Sequence, residues 1–345
     1  MACQINKYRD HLVDQLVNKF DIGRGFVQAY LRYWSESHGQ QLTDISEIEA
    51  LPCPHSKWFY NAISTNQQGT TLVNWVKQTL PTFPRRYLDV GCGLGGRLVA
   101  FSREGAEVYG IEKDHDIRRL GVENCADYGL SQSMFLDDLD AIEEKKEERF
   151  DLVVCLDPIR QLSPDRDLML LLNALRHNGH LFLQIPNCTS LSVVCKDTHF
   201  SLFALSLLAL SDATAYCTWA KSPKPIHFPY LSVLEYKEKL EESGYRVWIP
   251  EPEEKDELSA ERLAIFTNEL LRGYSRFMRD DAPRMDRKLA AKVDAHFRRY
   301  LTNFIEDAIW LNTGERSTQW FCEKYLATQR KLLATKVESD SMRAL

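Results

Sequence analysis

The sequence predicts an α/β fold, in which a mostly parallel sheet carries helices on both faces and helical segments are added before and after it. Between about residues 86 and 186, short apolar strands alternate with helical patterns. A glycine-rich turn directly follows the first of these strands. We therefore expect a helical N-terminal extension over 1–83, a core over 84–250 with a lid segment at about 187–230, and a mostly helical C-terminal region over 251–345.

The composition is that of an ordinary globular protein. The chain has 345 residues, of which 44% are hydrophobic and 27% are charged, and its formal net charge is -6. Nucleic-acid binders more often carry a basic excess, so nucleic acid is not expected as the substrate. The nine cysteines include no Cys-x-x-Cys pair, so no metal site is expected, and free thiols in a reducing cytosol fit them best.

No segment of the sequence predicts a helix that spans a membrane. The N-terminus lacks a charged start followed by an apolar run, so no signal peptide is expected. The most apolar stretch, FSLFALSLLALSDATA at 200–215, contains Asp212 and is shorter than the roughly 20 residues that span a bilayer. We expect a cytoplasmic protein with no transmembrane segment.

Short apolar runs define the predicted strands of the core, and helical periodicity defines the segments between them. The predicted helices include Gly96–Arg103, 116–128, 168–177 and 232–243. The predicted strands are 87–90, 108–111, 134–136, Phe150–Leu156, 180–185 and 245–249.

The strongest signal is the run Tyr-Leu-Asp-Val-Gly-Cys-Gly-Leu-Gly-Gly at 87–96, where a buried strand ends in a glycine-rich turn and a helix begins. The spacing of Gly91, Gly93 and Gly96 also satisfies the dinucleotide fingerprint. Asp89 favours S-adenosylmethionine over a dinucleotide as the ligand. A carboxylate at this position would repel a pyrophosphate and attract the amino group and sulfonium of S-adenosylmethionine. The turn therefore favours a cationic ligand.

Further carboxylates follow the next strands. Glu112 ends the second strand, and a carboxylate at that tip can accept both ribose hydroxyls, a feature that NAD-binding proteins share. Asp137 or Asp138, after the third strand, can accept from an adenine amino group. The fourth strand ends at Leu156 and Asp157, and a turn at 178–187 leads into the fifth strand.

This order of motifs, over about residues 84–250, resembles the class I S-adenosylmethionine-dependent methyltransferases, in the branch with many small-molecule O-methyltransferases. The resemblance implies a Rossmann-like seven-stranded sheet with the cofactor across the carboxyl ends of its strands. It places Leu156 and Asp157 near the transferred methyl group. The cofactor would contact Asp89, Gly91, Gly93 and Gly95 on its methionine side, Glu112 at the ribose and Asp137 or Asp138 at the adenine, with Cys92, Lys113 and Leu139 completing the predicted site.

The chain departs from these relatives in two places. Many carry a Glu-His pair after the fourth strand, where this chain has Arg160 and Gln161, so no catalytic histidine is expected in that loop. Many also stop soon after a final antiparallel strand, whereas this chain continues for about 90 residues beyond 250. We expect the seventh strand near 318–322.

Methyl transfer to a hydroxyl requires a positioned acceptor and a base. His199 and His227 are the candidate bases, and Asp157 is the third candidate catalytic residue. His199 is favoured, because Asp197-Thr-His199-Phe200 resembles an Asp-Pro-His-Phe pattern of related chains. We expect O-methylation of a small-molecule or glycan-like acceptor. A nicotinamide-dependent reductase and a non-catalytic interaction module remain as alternatives.

A basic cluster occupies 272–299, where nine Lys and Arg face four Asp. One interpretation is an anion site for a phosphate, a sugar nucleotide or a membrane surface. The other is a set of solvated helix faces. The C-terminal helices are also where a homo-oligomer is expected to form.

Overall fold

The computed structural model describes residues 2–144, 149–157, 163, 165–197, 199–222, 226, 229–250 and 260–336. Seven strands form one sheet in the order β3-β2-β1-β4-β5-β7-β6. Strands β1, β2, β3 and β4 pair in parallel, and β6 pairs with β7 antiparallel. This is the predicted α/β architecture. The strands are β1 Arg86–Val90, β2 Glu107–Ile111, β3 Phe135–Leu136, β4 Phe150–Leu156, β5 Leu175–Pro186, β6 Tyr245–Trp248 and β7 Gln329–Lys336.

Helices occupy most of the remaining chain. Short 3-10 segments lie at Gln132–Met134, Leu205–Leu207 and Ala282–Arg284, and π-helical turns at Phe277–Asp281 and Cys322–Leu326. The α-helices are α1 Ala2–Phe20, α2 Arg24–His38, α3 Ile45–Glu49, α4 His55–Ile63, α5 Thr65–Thr79, α6 Gly96–Arg103, α7 His115–Ala126, α8 Ala141–Glu144, α9 Arg166–Ala174, α10 Leu191–Cys195, α11 Leu210–Trp219, α12 Val233–Glu242, α13 Ala260–Arg276, α14 Arg287–Thr313 and α15 Thr318–Phe321.

The chain divides into two compact units. The first comprises Met1–Cys155 with Met169–Leu181, so the N-terminal helices belong to the same unit as β1 to β3. These helices are amphipathic, and their apolar stripes close a core of their own around Trp34 and Phe59. Asp127, which follows α7, accepts from the N–H groups of Gly25 and Phe26 and so fixes the start of α2.

The second unit comprises Leu156–Leu168 with Phe182–Leu345. Its core is rich in aromatic side chains, among them Phe203, Phe277 and Phe297, and draws on α10, α11, α13, α14, α15 and the segments that flank them. Tyr274 stacks on Phe297 with ring centroids 4.6 Å apart, which fixes a side chain of α13 against one of α14.

Most predicted elements are present, with end points moved by a few residues. Helix α6 and strand β4 have the predicted bounds. The prediction of a seventh strand near 318–322 was wrong, because Thr318–Phe321 is helical and β7 runs from Gln329 to Lys336. Phe321, at the end of this helix, is buried in the aromatic core, so an apolar residue here indicates helix packing and not a strand.

The apolar stretch at 200–215 is not one helix. It contains the short segment Leu205–Leu207 and then enters α11, and its larger side chains are largely buried in the second unit. In the described part of the chain, no helix combines the length and apolar character needed to cross a bilayer.

Candidate active site

The glycine-rich turn after β1 is held by backbone hydrogen bonds to β2. The N–H groups of Gly91 and Cys92 both donate to the Ile111 carbonyl, at 2.8 and 3.0 Å. Gly91, Gly93 and Gly95 have φ values of 75°, 56° and 74°, a region that glycine enters without strain. A Cβ on Gly93 would meet nothing within 4 Å, so the turn has open space where a ligand can approach its backbone.

The next residue of this motif is constrained by packing. A Cβ on Gly96 would lie 2.3 Å from the Thr65 carbonyl oxygen, and one on Gly69 would lie 2.4 Å from the Gly96 carbonyl oxygen. Helices α5 and α6 therefore approach at a pair of glycines. This close packing is a reason for glycine at 96 that needs no bound phosphate.

Two buried asparagines, on the helices α5 and α7, hold the turn in place. The side chain of Asn124 on α7 donates to the Leu94 carbonyl at 2.8 Å and to Asn66 Oδ1 at 2.9 Å. Asn66 lies on α5 and is 1% exposed. Since a buried amide needs partners, this pair fixes the glycine turn between two helices.

Glu112 closes the turn at the tip of β2. Its Oε2 accepts from the Gly93 N–H at 3.0 Å, and its Oε1 accepts from the Asp114 N–H at 2.8 Å. Each carboxylate oxygen keeps a lone pair, so Glu112 can still accept ribose hydroxyls. Together with the open space at Gly93, this geometry fits the nucleoside part of S-adenosylmethionine.

Asp89 is paired inside the protein. Its carboxylate is fully buried and receives two hydrogen bonds from Arg97, from Nε at 2.7 Å and from Nη2 at 3.0 Å. Arg97 Nη2 also donates to the Gly91 carbonyl at 2.9 Å. Burial works against the charge on Arg97, but Asp89 outweighs it and the pKa of the guanidinium is raised. Asp89 therefore does not present a free negative charge, and the electrostatic argument for a cationic ligand applies to Glu112 instead.

Cys92 is buried between these carboxylates. Burial, and then the nearby charges of Asp89 and Glu112, raise the pKa of its thiol well above the ordinary value. A thiol in this state is a poor nucleophile. Any contribution of Cys92 to cofactor binding comes from its backbone and from the packing of its side chain, not from a thiolate.

The predicted adenine side is more exposed. Leu139 is buried and Lys113 is exposed. Asp137 accepts from Arg118 at 2.9 Å, and Asp138 accepts from the Ala141 N–H at 3.0 Å, where it caps α8. These residues lie at the ends of β2 and β3 as predicted, and their contact with a cofactor stays a prediction.

A second group of candidate residues lies in the other compact unit. Asp157 follows Leu156, the last residue of β4, and His199 Nε2 lies 3.1 Å from Asp157 Oδ2. The contact is close but not aligned as a hydrogen bond, and Asp157 Oδ1 is a buried oxygen with no partner in the described part of the chain. Asp157 has a φ of 68°, a left-handed conformation that is unusual for a residue with a side chain. The structure therefore brings together two of the three predicted catalytic residues; the third, His227, lies outside the described residues.

Asp197 fixes the backbone that carries His199. It is 1% exposed and accepts from the N–H groups of His199 and Phe200, at 2.8 and 2.7 Å. The Tyr230 hydroxyl donates to its other oxygen. Burial raises the pKa of Tyr230 most, followed by the negative charge of Asp197 and, to a smaller extent, that of Asp157. The phenol therefore keeps its proton and acts as a hydrogen-bond donor.

Arg97, Asn124 and Tyr230 were not predicted from the sequence. An arginine at the start of a helix usually indicates a solvated side chain, and nothing in the sequence around Asn124 distinguishes it from a surface residue. A signal existed for Arg97, because an unpaired Asp89 within an apolar strand requires a buried partner.

Comparison with known proteins identifies the family of this chain. The family model of the methyltransferase domain matches residues 66–248, more than half of the chain. A ubiquinone biosynthesis O-methyltransferase of Pseudomonas fluorescens is 26% identical over 116 residues, 33% of this chain and 50% of that protein. One of Methylococcus capsulatus is 30% identical over 81 residues, 24% of this chain and 34% of that protein. The chain thus spans half or less of the length of these relatives.

Solved structures to which the chain is similar include an S-adenosylmethionine-dependent methyltransferase from Archaeoglobus fulgidus, 17% identical, with a TM-score of 0.40 over 78% of this chain and 94% of that one. A plantazolicin methyltransferase in complex with a triazolic desmethylPZN analog and S-adenosylhomocysteine is 15% identical. Its TM-score is 0.41 over 96% of this chain and 100% of that one. From the match over residues 66–248, the chain belongs to the methyltransferase domain family, among the class I S-adenosylmethionine-dependent methyltransferases.

Proposed function

We propose that this protein transfers a methyl group from S-adenosylmethionine to an oxygen of a small-molecule or glycan-like acceptor. The observation that carries the catalytic part is the approach of His199 Nε2 to Asp157 Oδ2 at 3.1 Å. A partly buried imidazole next to a carboxylate is the arrangement that a general base needs. The O-methyltransferase relatives support oxygen as the accepting atom. The free thiols of the described cysteines support the cytoplasmic location expected from the sequence.

The residues fit distinct roles in this reaction. Gly91, Gly93 and Glu112 would hold the cofactor, which supplies an electrophilic methyl group when bound. Once the two groups align in the substrate complex, a hydrogen bond from Nε2 to Asp157 would favour the imidazole tautomer with its hydrogen on Nε2, which leaves Nδ1 of His199 to take the hydroxyl proton of the acceptor. The carboxylate then stabilises the imidazolium that forms. Asp197 keeps His199 in place through its backbone N–H.

A thermal-shift titration with S-adenosylhomocysteine and NAD in parallel tests the cofactor. A ligand of the native state raises its stability with the logarithm of concentration over Kd, so we expect S-adenosylhomocysteine alone to raise Tm. Gly93→Val should remove that shift, because it strains a positive φ and fills the open space. A shift with NAD alone would make the chain a reductase and overturn the proposal.

Replacing His199 with Asn tests the catalytic part. We expect kcat in a methyl-transfer assay to fall about 100-fold or more, with the affinity for S-adenosylhomocysteine unchanged. The control is His115→Asn, a change of an exposed histidine on α7, which should leave kcat as it is. Full activity of His199→Asn would remove His199 from the mechanism. Cofactor binding with no transfer to any hydroxyl acceptor by the unchanged protein would favour the interaction module.

A further inference from the structure

Helix α14 has an exposed face that is basic in its first half and apolar in its second half. The opposite face is buried in the aromatic core through Val293, Phe297 and Phe304. A helix of 27 residues is about 40 Å long, so the two halves lie along one extended ridge. The outer face of α14 comprises Arg287, Lys288, Lys292, Arg298 and Arg299, followed by Ile305, Ile309 and Trp310.

The basic half carries charge that no acid among the described residues neutralises in full. Lys292 pairs with Asp212, and Arg298 pairs with Asp294. Arg287, Lys288 and Arg299 are exposed and form no ion pair among the residues that the structure describes. Exposed acids close to this face are Asp286, which caps the helix, Glu306 on the helix, and Glu315 just after the helix, whose N–H donates to the Trp310 carbonyl. The cations dominate this half, although the chain as a whole has a net charge of -6.

The apolar half exposes large side chains where a solvated helix face would carry polar ones. Ile305 is 50% exposed, Ile309 is 55% exposed and Trp310 is 37% exposed. Single exposed apolar residues are common on protein surfaces, but three within two helical turns form a patch, and such patches mark interaction sites. The patch adjoins Arg298 and Arg299, one to two turns earlier on the same face.

We propose that the outer face of α14 docks on an anionic lipid surface. Lys and Arg on an exposed helix face attract acidic headgroups, and aliphatic and indole side chains enter the boundary between headgroups and acyl chains. Charge complementarity favours this partner, because an overall acidic protein is repelled by an anionic membrane unless a local basic face meets it. The helix lies on the surface in this arrangement and does not cross it.

Co-sedimentation of the full chain with lipid vesicles tests this docking. We expect binding to vesicles of phosphatidylcholine with phosphatidylserine, little binding to pure phosphatidylcholine, and weaker binding at high salt. Arg299→Glu should lower the partition coefficient about fivefold or more, since it removes a cation and adds an acid. Ile309→Ser should lower it about tenfold by removing inserted apolar surface.

Matched controls change equally exposed residues elsewhere. Arg32→Glu makes the same charge change on α2, and Leu234→Ser makes a similar apolar change on α12, where Leu234 is 60% exposed. Both should bind vesicles as the unchanged protein does. No binding to the anionic vesicles, or equal binding by Arg299→Glu and Ile309→Ser, would overturn the proposal. If vesicles are not bound and Ile309→Ser lowers the molar mass in sedimentation velocity, the face joins two copies of the chain instead. Neither result bears on methyl transfer.

Discussion

At the scale of single residues, the cofactor motif of this protein rests on a buried ion pair. Asp89 is 0% exposed, and both of its oxygens are bound by Arg97, which also holds the Gly91 carbonyl. Bidentate geometry satisfies both carboxylate oxygens, which offsets part of the cost of burying the charges. The acid that the motif places in β1 therefore acts as an internal anchor for the turn.

Removing one partner should expose the cost of this burial. Arg97→Met leaves the Asp89 carboxylate buried without its counter-ion, and we expect a loss of about 3–5 kcal/mol in the free energy of unfolding. Urea denaturation followed by circular dichroism measures this loss. The double variant Asp89→Leu/Arg97→Met should recover much of it, because an apolar pair of similar volume has no charge to desolvate.

A second ion pair in the same compact unit provides the control. Arg103 Nη1 lies 2.6 Å from Asp21 Oδ2, but the two side chains are 38% and 68% exposed. Arg103→Met should therefore cost at most about 1 kcal/mol. Equal losses for Arg97→Met and Arg103→Met would show that the buried pair does not anchor the turn.

At the scale of secondary structure elements, α5 and α6 depend on two glycines that let them approach. The Cβ of an alanine at 96 would lie 2.3 Å from the Thr65 carbonyl oxygen, so one of the two backbones must shift. Gly96 is the first residue of α6, and the turn that holds the predicted cofactor residues ends at Gly95. A shift of α6 therefore reaches the turn directly.

Gly96→Ala should lower stability by about 1–3 kcal/mol, the usual cost of forcing extra volume into a packed contact. It should also weaken the thermal shift with S-adenosylhomocysteine, because the turn moves with the helix. Ser102→Ala, on the same helix, is the control and should change neither quantity by much. Wild-type stability for Gly96→Ala would mean that α5 and α6 separate without cost.

The elements that the sequence predicted well are those with continuous local patterns. Strand β4 is a run of buried residues with one consistent signal, and its bounds were predicted correctly. Strand β7 was missed because only Leu332, Leu333 and Ala334 are buried in it, and its partner β6 lies about 80 residues earlier. The Asp89–Arg97 pair and the His199–Asp157 contact were missed for the same reason: each partner was visible in the sequence, but only the fold brings the partners together.

At the scale of the whole molecule, burial controls which thiols react. Cys53 is exposed, whereas Cys92 is 3% exposed and its thiol has a raised pKa caused first by burial and then by Asp89 and Glu112. Alkylation requires both access and thiolate, and Cys92 has neither in the folded state. Its labelling therefore reports opening of the structure around the glycine turn.

Peptide mapping after iodoacetamide treatment should show Cys53 modified in native buffer and Cys92 protected. With increasing urea, Cys92 should become modified in parallel with the loss of circular dichroism, because a thiol that is 3% exposed is reached only when the structure around it unfolds. Modification of Cys92 well before global unfolding would mean that the turn opens locally. Modification in native buffer at the rate of Cys53 would contradict the burial.

The left-handed backbone at Asp157 limits which residues can replace it. Glycine, asparagine and aspartate are the residues that tolerate a φ of 68° most easily, and among them only aspartate carries a carboxylate for His199. Glutamate would keep the charge but would strain the chain. Codons for asparagine and glycine are single-nucleotide neighbours of those for aspartate, so a lineage that does not use the proposed base can reach either residue in one step. Under the proposed mechanism, either replacement at 157 would remove the carboxylate partner of His199 while the left-handed backbone is kept.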